Sequence, residues 1–223
     1  MTTLPTTDLE RQLLSSGASS VIGLDEVGKG AWAGPLVIGA AVLTLNVINA
    51  SNAQQLMGGA RDSKQLSEVK REAMFDHVAT TCGSWAIGAA SHEECDRLGM
   101  NKAQKLATQR ALEQLAHSVD LRASAAIIDG KWDFVSPHVG RVVTQVNADA
   151  SCLSVSAASV LAKVSRDRMM REFASDFPMW SLDTNKGYPC PKHRVALQGY
   201  GPSAIHRVSW AFMENYVPWL HAS

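Results

Sequence analysis

Four carboxylates follow apolar runs in this chain: Asp25 and Glu26 after "SVIGL", Asp129 after "AAII", and Asp149 shortly after "RVVTQV". Short apolar runs rich in β-branched residues read as buried strands, so each acid is delivered to a strand's carboxyl end. Open α/β sheets place their sites there. Carboxylates gathered at one sheet edge repel one another and stay ionised together only with cations between them. Oxygen donors without His or Cys beside them suit Mg²⁺ or Mn²⁺. Two such ions about 3.5–4 Å apart serve in-line displacement at a phosphodiester, one activating the attacking water and the other stabilising the leaving oxygen. Read singly, the same acids say less. Asp129-Gly130 is an ordinary turn, and Asp149 could cap the helix that follows it. Spacing alone leaves both readings standing. Adjacent strand residues also point to opposite faces, so Asp25 and Glu26 share a site only where the strand ends or bends.

A glycine-rich loop, "GKGAWAGP" (28–35), begins two residues after Asp25-Glu26. Such loops bring main-chain N–H groups close to an anion because no Cβ intervenes. Anions and carboxylates repel, so a positive group must stand between the two. The glycine spacing is G-x-G-x-x-x-G, one residue too long for a dinucleotide fingerprint, and Lys29 is followed by Gly30 rather than the Ser or Thr of a Walker A loop. Both nucleotide-binding readings are rejected. A non-catalytic binding module fits poorly as well, since four acids without metals would only weaken binding to a polyanion.

The elements that must position these groups are legible. After a short helix or tail over residues 1–18, strands are expected at "SVIGLD", at "PLVIGAAVLTL" (35–45) and at "SWAIGAA" (84–90). Residues 46–62 read as a loop, and Ser67 as the cap of a helix over "EVKREAMFDHVATT". One helix is expected over "HEECDRLGMNKAQKLATQRALEQLAHS", then strands at "ASAAIID" (123–129) and "RVVTQV" (141–146). A long helix, "SCLSVSAASVLAKVSRDRMMREFASDF", has small residues in its first half, which lets it lie close to a neighbour. After Pro178 the chain becomes loops and short helices. The order predicts an antiparallel meander of three strands followed by parallel βα units.

The 223 residues suffice for one large domain with a real core, and 46% hydrophobic with 19% charged residues are globular values. Formal net charge is zero, but the distribution is uneven. From Thr184 to Met213 there is no acid, while Lys186, Lys192, Arg194 and Arg207 lie there with His193 and His206. This tail is the expected surface for an anionic ligand. A second acid-free stretch, Arg97 to Leu112, reads as a solvated helix face. The N-terminus is not expected to be a signal peptide, no segment approaches a membrane span, and the four cysteines read as reduced, buried thiols of a cytoplasmic protein.

The motifs, in order, resemble those of ribonuclease HII, the type 2 ribonucleases H. "GLDEVGKGAWAGPL" resembles the signature D-E-x-G-R-G-x-x-x-G-P; "DSKQLSEVKRE" (62–72) resembles the D-S-K-x-L region of bacterial members. "IIDG" (127–130), "ADASCLSVSAASVLAKVSRD" (148–167), "NKGYPCPKH" (185–193) and "HRVSW" (206–210) match further segments. The resemblance implies an α/β ribonuclease H-like fold: a mixed five-stranded sheet flanked by helices, with a catalytic core over 19–175 and a C-terminal helical subdomain over 176–223. It implies a cytoplasmic monomer that uses Mg²⁺ or Mn²⁺ at a two-ion site. Its implied activity is hydrolysis of the RNA strand of RNA–DNA hybrids and incision 5′ of ribonucleotides embedded in duplex DNA. By motif match the catalytic, metal-binding acids fall on Asp25, Glu26, Asp129 and Asp149. The loop that meets the ribose 2′-OH and its phosphate falls on Gly28, Lys29 and Gly30, and the tyrosine that packs on the next deoxyribose on Tyr188. Lys64, Lys163 and Arg166 are implied phosphate contacts. The signature arginine is Lys29 here, a residue associated with the sibling family ribonuclease HIII. That exchange replaces a fork with a point charge. With the first strand expected near residue 20, the N-terminal substrate-binding domain of that sibling is not expected here.

Overall fold

The computed structural model describes residues 4–60, 63 and 66–217. Among them runs a five-stranded sheet in the order β3-β2-β1-β4-β5, built from β1 (Val21–Val27), β2 (Leu36–Leu43), β3 (Cys82–Ala90), β4 (Ala125–Asp129) and β5 (Arg141–Gln145). The first three strands form the antiparallel meander; β4 and β5 add in parallel beside β1. Every residue of β2 is buried, because helices cover both faces of the sheet centre.

Two helices do the covering. On one face, α6 (Met100–Leu115) lays Ala103, Ala107, Ala111 and Leu112 against Ile22, Leu24, Ile38 and Ile128. On the other, α8 (Leu153–Asp176) approaches so closely that a Cβ on Gly23 would stand 2.2 Å from the Ser154 carbonyl carbon. A Cβ on Gly39 would stand 2.4 Å from the Ala158 oxygen. The small-residue stripe of this helix and the strand glycines are one packing device. α1 (Asp8–Ser15) locks its start: buried Glu10 accepts hydrogen bonds from the Ser154 N–H (2.9 Å) and hydroxyl (2.7 Å) at the first turn of α8.

Three expectations about local structure need correction. Residues 46–62 are not simply loop, since they contain α2 (Leu45–Asn49) and α3 (Ala53–Leu56). Thr44 caps the first of these, and Val47, Ile48, Ala53 and Met57 bury against α8 and α4 (Glu68–Thr81). Helices of one turn are too short to leave a periodic signature. The long helix expected from His92 breaks at Gly99, whose φ of +73° separates α5 (His92–Leu98) from α6. The helix expected from Ser151 breaks at extended Cys152, which bridges to Thr6 and splits α7 (Ala148–Ser151) from α8. The cap at Ser67 is as expected, its hydroxyl accepting the Lys70 N–H.

Beyond α8, a 3-10 turn (Pro178–Trp180), α9 (Leu182–Asn185), α10 (Pro191–Tyr200) and α11 (Phe212–Tyr216) fold back on the loop after β1. Trp32 stacks on Phe212 at 4.3 Å, and Ala33 bridges to His206. The cysteines are free, and burial pushes the Cys82 thiol up to about 12 and the Cys152 thiol up to about 11. Among the described residues no helix is long and apolar enough to cross a membrane.

Candidate active site

The parallel register of β1 and β4 brings the first acids together. Leu24 pairs with Ile128, so the next positions, Asp25 and Asp129, lie side by side. Asp25 pairs with Gly39, which rests on α8, so both aspartates belong to the α8 face. The Asp129 carboxylate accepts the Ala148 N–H at 2.8 Å, which draws the start of α7, and with it buried Asp149, to the same end of the sheet. Glu26 pairs with Ile38 and alternates toward the α6 face. β1 ends at Val27, one residue after Glu26, so the two acids stand where the strand ends. The Asp25 carboxylate accepts the Glu26 N–H at 2.8 Å, and the Glu26 carboxylate stands 3.7 Å from Lys29 Nζ.

Among the described residues no group of three or more His, Cys, Asp or Glu side chains could by itself hold a metal ion. The acids form an open, oxygen-only set. That suits Mg²⁺ or Mn²⁺, hard ions, of which Mg²⁺ takes one or two protein carboxylates and completes its shell with water and phosphate oxygens. The residues present fit such an ion and do not fit a closed structural site.

The glycine loop rests on two buried arginines. Gly28 has a φ of +87°, and a Cβ there would meet Arg166 Nε at 2.2 Å. Arg166 is wholly buried and donates to the carbonyls of Pro35 (2.9 Å), Lys186 (2.8 Å) and Ala33 (3.1 Å). Arg207, also wholly buried, donates to the Gly34 carbonyl through Nε (3.2 Å) and Nη2 (3.0 Å), and to the Lys29 carbonyl through Nη1 (3.1 Å). Burial pulls Arg166 below its ordinary range and Arg207 down to about 10, still cationic at neutral pH. Neutral carbonyls satisfy these guanidiniums without cancelling their charge, so the loop sits on positive potential.

Tyr188 closes the loop. Its hydroxyl accepts the Gly28 N–H at 3.0 Å, and its ring lies 5.3 Å from the Arg166 guanidinium and 5.9 Å from Lys163 Nζ. Gly30 is exposed, and a Cβ there would meet nothing within 4 Å. The structure therefore gathers Gly28, Lys29, Gly30 and Tyr188 beside Asp25, Glu26 and Asp129. Lys64 lies outside the described residues.

The implied phosphate role of Arg166 does not match its complete burial. Arg166 is interior scaffold. Lys163 is largely buried and donates to Asp167 at 2.6 Å; burial lowers its pKa although the pair opposes the shift. The acid-free tail is corrected too. Lys186, Arg207, His193 and His206 are buried, which leaves Lys192 and Arg194 exposed. Charge counted along a sequence does not reveal which cations point inward. Arg207 was visible as a cation of that tail and within "HRVSW", but not as an interior support of the loop.

Comparison with known proteins shows the family and the fold. Residues 22–213 match the family described as Ribonuclease HII. A Ribonuclease HII of Streptomyces avermitilis is 41% identical over 219 residues, covering 97% of this chain and 88% of that one. One of Paracoccus denitrificans is 40% identical over 210 residues, covering 93% and 92%. Among solved structures, ribonuclease H2 from Pyrococcus horikoshii OT3 aligns with a TM-score of 0.72 at 26% identity, over 92% of this chain and all of that one. Bst-RNase HIII in complex with Mn²⁺ shares the fold, with a TM-score of 0.68 at 18% identity over 98% of this chain and 75% of that one. With a family match across most of its length and relatives near 40% identity, the chain belongs to the ribonuclease HII family.

Proposed function

We propose that this protein is an endonuclease that hydrolyses the RNA strand of RNA–DNA hybrids and incises 5′ of single ribonucleotides in duplex DNA, with Mg²⁺ or Mn²⁺. The observation that carries this reading is the adjacency of the Asp25–Asp129 pair to the loop joined by the Gly28–Tyr188 hydrogen bond. Family membership supports the same reading.

Asp25, Glu26, Asp129 and Asp149 would hold the ions, with substrate oxygens completing their shells. Bound there, the ions supply an activated water and charge stabilisation at the leaving oxygen. The chain's own residues do the choosing. The Tyr188 hydroxyl holds the Gly28 amide, and the loop of Gly28, Lys29 and Gly30 would meet the ribose 2′-OH and its phosphate. RNA is told from DNA at one position by that hydroxyl. The buried charges of Arg166 and Arg207 favour the phosphate through the loop above them. The Tyr188 ring accepts a deoxyribose on the neighbouring nucleotide and crowds a 2′-OH there. Because the 2′-OH is recognised rather than used as a nucleophile, the products carry 5′-phosphate and 3′-hydroxyl ends.

In this reading residues 19–175 form the catalytic core, the segment from about 176 onward is a helical subdomain that supplies Tyr188, and the protein works as a cytoplasmic monomer. Incubation with a duplex holding one ribonucleotide, with Mg²⁺ or with chelator, tests the activity. Metal-dependent nicking on the 5′ side is expected. Absence of nicking by folded protein would refute it.

A further inference from the structure

Two histidines that the proposed chemistry does not use lie buried against each other beside Tyr188. His193, on α10, and His206, in the segment after it, are 0% and 1% exposed, with Nε2 atoms 2.8 Å apart. Their outer nitrogens meet main-chain groups of opposite kind. His206 Nδ1 receives the Ser203 N–H at 2.9 Å and lies 2.7 Å from the Ser203 hydroxyl. His193 Nδ1 faces the Tyr188 carbonyl at 3.0 Å.

A main-chain N–H can only donate and a carbonyl can only accept. His206 Nδ1 is therefore bare, and its proton sits on Nε2. His193 carries its proton on Nδ1, and its Nε2 is bare. One arrangement satisfies every atom: Ser203 N–H to His206, His206 Nε2–H to His193, and His193 Nδ1–H to Tyr188. An added proton would meet a donor at either bare nitrogen. On His193 Nε2 it would face the His206 N–H, and on His206 Nδ1 it would face the Ser203 N–H. The rings are boxed by Trp32, 5.8 Å from His193, and Trp180, 5.8 Å from His206.

This directed chain ends on the residue whose ring stands at the glycine loop. The other polar atoms of Tyr188 are held as well, its N–H by the Asn185 carbonyl at 2.9 Å and its hydroxyl by Gly28 at 3.0 Å. The preceding residue, Gly187, is pinned too, its carbonyl accepting the Trp32 N–H at 2.8 Å. A shift at the Tyr188 carbonyl would move the ring against the loop.

We infer that His193 and His206 are a positioning pair, a neutral strut of fixed tautomers that sets the Tyr188 ring against Gly28 and so sharpens the preference for a ribose followed by a deoxyribose. The specificity role rests on the reading of Tyr188 given above; the strut does not. The test compares kcat/KM on a duplex with one ribonucleotide and on one with a run of four or more, for wild type, His193→Asn and His193→Leu. Asn keeps an N–H near the place of Nδ1 and should hold the ratio near the wild-type value. Leu should lower the ratio about tenfold, the kinetic equivalent of one lost hydrogen bond, chiefly through the single-ribonucleotide substrate. An unchanged ratio in folded His193→Leu would overturn the specificity role.

Histidine ¹⁵N spectra of the wild type at neutral pH give a readout that needs neither activity nor a stable variant. The Nδ1–H form at His193 with the Nε2–H form at His206 is expected, and any other pairing would overturn the strut. A wild type that cuts neither duplex would remove the hydrolase reading and the specificity role together, while the spectra would still decide the strut.

Discussion

The Tyr188 hydroxyl accepts the Gly28 N–H across 3.0 Å, so the aromatic ring of the C-terminal segment and the glycine loop after β1 are joined as one recognition unit. Tyr188→Phe keeps the ring and removes the bond. The partly enclosed Gly28 amide then lacks its acceptor, at a cost of about 1 kcal/mol. Cleavage within a run of ribonucleotides should continue, while incision at a lone ribonucleotide should fall several-fold. Steady-state kinetics on the two duplexes measure this, and equal losses on both would argue against a sugar-sensing role.

The two loop glycines should respond differently to alanine. Gly28→Ala forces a Cβ onto Arg166 Nε at 2.2 Å with φ at +87°. Arg166 is held by carbonyls and cannot swing aside. A loss of about 2–4 kcal/mol is expected, visible as a lower Tm. Gly30→Ala meets no protein atom within 4 Å, so Tm should stay unchanged while activity drops. Equal Tm values for the two variants would contradict the packing described here.

Arg207→Met should open the loop from below. The change leaves the Gly34 and Lys29 carbonyls without their donors, a loss of about 2–4 kcal/mol. Arg207→Lys should not restore the wild-type Tm, because a single ammonium lacks the planar fork that spans two carbonyls. Thermal unfolding of both variants checks this.

Acid should destabilise the fold before most carboxylates titrate. Burial first, then His193, pulls His206 down to about 3, and burial lowers His193 as well. The unfolded chain takes up protons near the ordinary histidine value of 6.5 while the folded pair refuses them. Stability is therefore intact above that pH and falls below it, at a limiting slope of roughly 1.4 kcal/mol per pH unit for each histidine. Glu94, held at about 2 chiefly by its hydrogen bonds to Arg110, adds a loss only once pH falls below about 4.5. Glu10 works the other way. Burial raises it, so its share of stability is full below its unfolded value and is lost as pH rises. The histidine slope is best read as the difference in Tm between wild type and His206→Gln from pH 7.5 to 5; no difference in slope would count against the neutral pair.

Much of this was legible in the sequence because strand ends announce themselves. Apolar β-branched runs place Asp25 and Asp129 at the sheet edge, and the small residues of α8 imply the close contact that Gly23 and Gly39 make. Direction of burial was not legible. Arg166, Lys163, Lys186 and Arg207 read as surface cations in one dimension, and only the packed structure shows their charges turned inward. The short helices near Val47 and the break at Gly99 escaped for a related reason, since tertiary contacts and a single backbone angle define them.

The most direct test of the proposed chemistry is Asp129→Asn. The amide oxygen can still accept the Ala148 N–H that Asp129 receives at 2.8 Å, so the start of α7 should hold while one metal-binding charge is lost. With Mg²⁺ and a duplex containing one ribonucleotide, turnover should fall by at least about a thousandfold while duplex affinity stays near the wild-type value. Cleavage by this variant at the wild-type rate would contradict the assignment of the acids.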